Sequence, residues 1–213
     1  MINRRQFNLG AAGAVTLGST SLGAFAATPT QDALIIDAMG EVREIYTDEL
    51  CQEMIDSGLN SITVTLCDPK SYESQAYDWG MDGVLQYNRL IESEPAFWTM
   101  ATTVSDIDRA RDEGRIAIFY LFQNSTQFGR DLDNVDVFYG LGVRSSQLTY
   151  NFQNWAGAGC NELNDSGLTV FGRELVEKMN DVGMLIDLSH AGMKTMADTI
   201  AASKVPVIVS HSC

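Results

Sequence analysis

The apolar positions of residues 33–213 follow two different periods along the chain. Short runs rich in β-branched and apolar residues predict strands. Segments with apolar residues three and four positions apart predict amphipathic helices. The predicted strands are 33–37, 60–66, 115–122, 143–149, 184–188 and 205–209. The predicted helices are 46–56, 81–94, 105–113, 135–139, 169–181 and 194–202.

This alternation of strands and helices predicts an α/β fold with a parallel sheet covered by helices. Two architectures fit, a doubly wound sheet and a (β/α)8 barrel. A nucleotide-binding doubly wound sheet has a glycine-rich loop after its first strand. Here the first strand runs into Asp37-Ala-Met-Gly-Glu41, without that motif. The pattern therefore favours a TIM-type barrel, with about six of its eight strands present.

The last predicted strand is followed by Ser210-His-Ser-Cys213, where the chain stops. Six strands of this pattern do not close a barrel, and an open sheet exposes two edges. We therefore expect residues 27–213 to be the N-terminal part of a single barrel domain. On this view the chain is a fragment, roughly half of a longer product or somewhat more, and inactive by itself.

The first 26 residues have the composition of an export signal. Arg4 and Arg5 precede an apolar stretch rich in Ala and Gly, which ends in the cleavage pattern Ala24-Phe25-Ala26. A charged start, an apolar middle and small residues at the end are typical of a secretory signal. The paired arginines resemble a twin-arginine signal. We expect export to a bacterial periplasm, with no transmembrane anchor in the mature chain.

Composition narrows the classes of partner. The chain has 213 residues, is 45% hydrophobic and 20% charged, and carries a formal net charge of −14. These values are typical of a globular protein and exclude a disordered one. The acidic balance argues against nucleic acid and against anionic lipid surfaces, which both require clustered Lys and Arg. A small-molecule substrate is the expected partner. With no CxxC motif, Cys51 and Cys67 are predicted to be buried free thiols.

The chain has two histidines, His190 and His211, and each directly follows a predicted strand in a Ser-His pair. Barrel enzymes place their active sites at the carboxyl ends of the strands. Two imidazoles from neighbouring strand ends can bind one metal ion such as Zn²⁺. The alternative is a pair of histidines that only form hydrogen bonds in strand-end turns. Metal binding is the favoured interpretation.

Other polar residues also lie at predicted strand ends. Asp187 could orient an imidazole, cap a helix or pair with an arginine. Glu41 and Gln123 could supply a further metal ligand or a catalytic group, or they could simply be polar loop residues. Tyr150 and Asn151 could bind a polar substrate, or belong to a self-satisfied loop.

The sequence around these residues resembles the membrane dipeptidase (renal dipeptidase) family of metallopeptidases. The resemblance is carried by Leu141-Gly-Val-Arg-x-x-x-Leu-Thr, by Gly167–Asn180 leading into Gly183-Met-Leu-Ile-Asp-Leu-Ser-His190, and by Pro206-Val-Ile-Val-Ser-His211-Ser. It implies a (β/α)8 barrel with a two-zinc centre, in which a bridging hydroxide attacks the peptide bond of a dipeptide.

Carried over residue by residue, the resemblance makes His190 and His211 the two histidine ligands of one metal. The family's first strand ends in Asp-x-His-x-Asp, where this chain has Asp37, Met39 and Glu41. The family's bridging Glu corresponds to Gln123, and its substrate-facing His to Tyr150. These departures weaken the other metal position. We expect one zinc on His190 and His211, with Gln123, Glu41 or water completing its ligands.

Two functions follow from these residues. The first is a metal-dependent hydrolase that cleaves the amide bond of a dipeptide or a similar small substrate with metal-activated water. The second is a non-catalytic or altered relative that binds a small ligand in the mouth of the barrel. A homodimer of the full-length protein is a further expectation.

Overall fold

A computed structural model describes residues 33–71 and 75–212. The predicted signal, residues 1–26, and Cys213 lie outside the described residues. The strands are β1 (Ile35–Gly40), β2 (Leu59–Thr65), β3 (Trp98–Met100), β4 (Ile116–Phe122), β5 (Val143–Gln147) and β6 (Leu185–Asp187). The helices are α1 (Asp48–Asp56), α2 (Ala76–Ser93), α3 (Ser105–Asp112), α4 (Asp133–Gly140), α5 (Val170–Val182) and α6 (Met193–Ala202).

All strand pairs of the sheet are parallel. The order is β1-β2-β4-β5-β6, and β3 pairs only with the start of β4, Ile116–Ile118. The strands curl into a half-barrel, which confirms the predicted α/β class and fits an incomplete TIM-type barrel. Parallel order brings the carboxyl ends of β4, β5 and β6 to one edge. The segments that follow them therefore share one side of the sheet.

The central strand β4 is buried on both faces, as its continuous apolar sequence predicted. On one face Ile116, Ile118, Tyr120 and Phe122 join the main core. On the other face Ala117 packs with Ile107 and Ala110 of α3. Side chains alternate between the two faces of a strand, and helices on both sides of β4 bury both sets.

An aromatic cluster anchors α4 to this sheet. The Phe138 ring meets the Phe122 ring edge-on at a centroid distance of 4.8 Å, and Phe128 lies 6.0 Å away. All three side chains are fully buried. Edge-to-face aromatic pairs add to the free energy of area burial, so this cluster is a main source of stability beneath the strand ends.

Two elements of the structure, α2 and β3, depart from the prediction. Helix α2 begins at Ala76. The prediction began at residue 81 because Gly80 and Gly83 interrupt the apolar periodicity of the helix. A Cβ on Gly83 would lie 2.0 Å from the Leu66 carbonyl oxygen, so these glycines permit close helix–sheet packing. Strand β3 was missed because three residues are too few to show alternation.

The prediction of a strand at residues 205–209 is wrong. The structure shows a single isolated bridge, between Ile208 and Asp187. Two hydrogen bonds make it, from Leu188 N to Ile208 O and from Ile208 N to Ile186 O. Pro206 has no N–H to extend such a ladder. The segment nevertheless runs parallel to β6, which places His211 beside the end of that strand.

The described cysteines Cys51, Cys67 and Cys160 are free thiols. Cys51 is fully buried, and burial raises the pKa of the Cys67 thiol to about 11. Within residues 33–71 and 75–212, no helix has the length and apolar character required to cross a bilayer.

The aromatic cluster generates a stability prediction. Replacing Phe138→Ala should lower the free energy of unfolding by about 3–5 kcal/mol, because it leaves a cavity in the core. Phe152→Ala is the matched control. That ring is 53% exposed, and its loss should change stability by less than about 0.5 kcal/mol. Urea unfolding followed by circular dichroism measures both, and equal losses would contradict the assigned core.

Candidate metal centre

The two histidines meet at the carboxyl ends of β6 and of the segment that bridges to it. The Nε2 atoms of His190 and His211 lie 2.9 Å apart. Their rings are tilted at a centroid distance of 4.9 Å. Residues 21 positions apart in sequence are brought together because both strand ends point the same way.

Asn151 fixes the orientation of His190. Its side-chain Oδ1 accepts a hydrogen bond from His190 Nδ1 at 2.8 Å. Both residues have a backbone φ of 62°, and they are the non-glycine residues with positive φ in the part that the structure describes. Such backbone conformations cost on the order of 1 kcal/mol or more and cluster at functional sites. The backbone conformations of Asn151 and His190 therefore support the hydrogen bond that orients the His190 ring.

Ser210 fixes the orientation of His211. Its hydroxyl donates to Asp187 Oδ2, so its oxygen can only accept from the His211 Nδ1–H, which lies 2.8 Å away. The His211 backbone N–H donates to Ser189 Oγ at 3.2 Å. His211 is therefore held through both its ring nitrogen and its backbone N–H.

The carboxylate of Asp187 binds both serines that precede the histidines, Ser189 and Ser210. It is fully buried and accepts five hydrogen bonds, from Ser189 N and Oγ, Ser210 N and Oγ, and Gln147 Nε2. A buried carboxylate requires such donors to remain charged. Asp187 touches neither ring and acts on His211 through Ser210.

These contacts determine where the ring protons lie. Each imidazole donates its Nδ1–H to a protein oxygen, so each neutral ring has a bare Nε2 lone pair. The two lone pairs face each other at 2.9 Å. Such a pair is stable only with a positive charge between the nitrogens, either a shared proton or a metal ion.

The nitrogens fit a common metal ion. Zn²⁺–N distances are about 2.0–2.1 Å, so two nitrogens on one tetrahedral ion lie roughly 3.3 Å apart. The observed separation is 2.9 Å, within a few tenths of an ångström. Metal-bound histidines also normally donate their second ring N–H to an oxygen, as both rings do here.

Gln123 is the next side chain to reach this pair. Its amide Nε2 lies 3.5 Å from His211 Nε2. A carboxamide can offer its oxygen to a metal ion, but it carries no charge. In the part of the chain that the structure describes, no group of three His, Cys, Asp or Glu side chains could hold a metal ion.

Glu41 lies apart from the histidines. Its carboxylate pairs with Arg43, and the cavity it lines contains neither histidine. Met39, two residues before Glu41, lies in β1 and donates its backbone N–H to Asp37 Oδ1 at 3.0 Å. Strand β1 and strand β6 occupy opposite ends of the sheet order, which accounts for this separation.

A cavity of about 500 Å³ opens beside the pair, lined by both histidines, Leu188, Met196 and Val209 among others. The Tyr150 ring lies against His190 at a centroid distance of 4.4 Å. Burial, and then the neighbouring His211, lower the pKa of His190, while Asp187 opposes this. A lowered pKa keeps the ring neutral, as a metal ligand must be.

Sequence reasoning missed the roles of Ser210 and Asn151 as partners of the rings. The repeated Ser-His pair was visible, but both serines serve the same carboxylate, which no spacing reveals. Asn151 was a candidate for substrate binding or for a self-satisfied loop, and in the structure its Oδ1 accepts a hydrogen bond from His190.

Comparisons with known proteins identify the family of this chain. A family model described as membrane dipeptidase, peptidase family M19, matches residues 32–213. An uncharacterized dipeptidase from Schizosaccharomyces pombe is 39% identical over 106 residues, which are 48% of this chain and 26% of that protein.

Solved structures have the same fold. An amidohydrolase from Pseudomonas aeruginosa is 35% identical with a TM-score of 0.76, covering 84% of this chain and 53% of that one. A metallopeptidase from Rhodobacter sphaeroides, liganded with a phosphinate mimic of L-Ala-D-Ala, is 18% identical with a TM-score of 0.75, covering 84% and 65%. The chain thus spans about half of the amidohydrolase and about a quarter of the S. pombe protein.

The role of Asp187 generates a prediction. In Asp187→Asn the amide oxygen should keep the three donors at the Oδ1 position, and the new NH₂ should donate to Ser210. The Ser210 hydroxyl then turns to His211, whose ring proton moves from Nδ1 to Nε2. We expect a loss of about 2 kcal/mol in unfolding free energy and a changed ¹⁵N tautomer signature of one ring. The exposed Asp112→Asn is the control, and an unchanged tautomer in Asp187→Asn would contradict this network.

Proposed function

The chain belongs to the membrane dipeptidase family of metallopeptidases, and on that basis we propose that it is a metal-dependent hydrolase of a dipeptide or a similar small substrate. The observation that carries the proposal is the pair of bare Nε2 lone pairs 2.9 Å apart, each on a ring held by its Nδ1–H. This arrangement supports one metal ion on His190 and His211. Imidazole nitrogens suit zinc, and zinc is the ion we propose.

The side chains divide the work as follows. His190 and His211 hold the ion, while Asn151 and Ser210 keep both rings aligned. When bound, the ion supplies a Lewis acid that lowers the pKa of water and polarises a carbonyl. Gln123 extends its amide toward the same place and either completes the ligands or holds the substrate. Tyr150, whose ring lies against that of His190, is the residue that we propose to contact the substrate.

A second candidate is a barrel that binds a small ligand without hydrolysing it. Gln123 is neutral, and Glu41 is engaged by Arg43. Both favour this alternative, because without a bridging carboxylate a second metal ion is held less well, and a two-metal clamp on the reacting oxygens is then lost. The candidates differ in turnover, since the second binds dipeptides without cleaving them.

Zinc binding tests the first candidate. Isothermal titration of the purified, metal-free protein with zinc should give one site per chain, abolished in His190→Ala and in His211→Ala. Gln123→Glu should tighten binding by at least about tenfold, because it adds a charge next to the ion. Gln86→Glu, which lies in a different cavity, should not.

The same samples discriminate the candidates. Cleavage of a dipeptide library that depends on added zinc and on both histidines supports the hydrolase. Zinc binding to the wild type that survives in His190→Ala would overturn the assigned ligands. Because residues 27–213 are expected to be inactive by themselves, the cleavage assay uses the full-length protein, and dipeptide binding without any cleavage there would favour the second candidate.

We also propose that the chain is exported to the periplasm through the twin-arginine pathway. The support is the sequence of residues 1–26, with Arg4 and Arg5 before an apolar stretch. The double change Arg4→Lys and Arg5→Lys should leave the uncleaved precursor in the cytoplasmic fraction, because that pathway reads the arginine pair. Arg109→Lys with Arg111→Lys, on the surface of α3, is the control and should be exported normally. Unimpaired export of the first variant would exclude this pathway.

A further inference from the structure

A second cavity lies at the same edge of the sheet, between the segments that follow β4 and β5. Its volume is about 380 Å³, and its lining residues are Thr126, Gln153, Asn154 and Trp155. Cavities of this order accept part of a small ligand. Neither histidine lines it.

The floor of this cavity is rigid because Asn154 ties the two segments together. Its Nδ2 donates to Asn124 Oδ1 at 2.8 Å and to Leu148 O at 2.7 Å. Its Oδ1 accepts from the backbone N–H groups of Ala156 and Gly157. Gln153 and Trp155, its neighbours in sequence, are thus displayed on a fixed backbone.

Trp155 presents its indole to solvent from this backbone. The Trp155 carbonyl accepts a hydrogen bond from Thr169 Oγ1 at 2.5 Å, yet the residue is 54% exposed. The Arg130 guanidinium lies over the ring, 4.9 Å from its centroid. This cation–π contact holds the guanidinium beside the indole, next to the residues that line the cavity.

Arg130 differs from most basic residues of this acidic chain. Eight described Lys and Arg side chains form ion pairs with carboxylates. Within residues 33–71 and 75–212, Arg130 forms no ion pair or hydrogen bond, and its guanidinium contacts the Trp155 ring. Its five donors therefore have no acceptor there, although the chain carries 28 acidic residues.

We propose that Arg130, Trp155 and Gln153 form a subsite that binds a carboxylate joined to a flat apolar group. The guanidinium offers the carboxylate paired hydrogen bonds, the indole offers the apolar group a surface, and the Gln153 amide offers a further polar contact. A monoanion suits this place better than a doubly charged phosphate, because the chain's net charge of −14 repels the dianion more strongly. The binding requires neither the metal nor hydrolysis.

N-acetyl-L-phenylalanine is the probe, and its amide derivative is the uncharged counterpart. The purified protein, freed of metal on a chelating resin, is titrated with each by calorimetry. The acid should bind saturably and the amide about tenfold more weakly or not at all, because it lacks the charge that strengthens the guanidinium contact. Retained binding in the metal-free protein also separates this subsite from the proposed metal centre.

Matched variants locate the binding. Arg130→Gln should weaken the acid by about tenfold or more, and Trp155→Ala should weaken both probes. Arg89→Gln, another exposed arginine, and Trp79→Ala, whose ring is 41% exposed, should leave both affinities within about twofold of the wild type. Circular dichroism checks that every variant folds.

Three results would each overturn the proposal. One is the absence of saturable binding of the acid by the folded wild type. Another is an undiminished affinity in Arg130→Gln. The third is that inorganic phosphate binds more tightly than the acid and that Arg130→Gln weakens this phosphate binding. That result would make the subsite a phosphate site.

Discussion

The candidate site depends on one buried carboxylate. Asp187 sits fully buried at the end of β6 and accepts hydrogen bonds from residues on both sides of the Ile208 bridge. Because an unsatisfied buried charge is costly, these donors must remain in place. Through its hydrogen bonds with Ser210, Asp187 holds the segment 206–211 against β6, where backbone pairing is limited to one bridge. It also fixes the direction in which the Ser210 hydroxyl donates, and through it the tautomer of the His211 ring.

This chain of hydrogen bonds gives the site its chemical character. With Nδ1–H groups committed to Ser210 and Asn151, both rings present unshared electron pairs at the same point. The family membership explains why such a point exists in this fold. The chain departs from the family resemblance at three positions: Met39 replaces an imidazole, Gln123 replaces a carboxylate, and the carboxylate of Glu41 pairs with Arg43. These departures are the reason that we propose one metal ion rather than two.

The fold was predictable wherever the apolar pattern was continuous. Strand β4 was recognised because residues 116–122 are apolar throughout, and helix α5 because Thr169 and Gly183 mark its ends. Failures occurred where contacts between distant residues override local pattern. The glycines of α2 leave room for Leu66 and Phe138 to pack closely against the helix, and residues 205–209 are apolar but form a single bridge to β6.

The sequence by itself determined the alternating architecture, the strand-end placement of both histidines and the departures at Met39, Glu41 and Gln123. These follow from residue type and spacing, which are local properties. Only the tertiary structure decided that the rings meet at 2.9 Å, that Asp187 acts through Ser210, that Glu41 is engaged by Arg43, and that Arg130 stacks on Trp155. Hydrogen-bond direction and contact depend on the register of strands distant in sequence, and no local pattern carries that information.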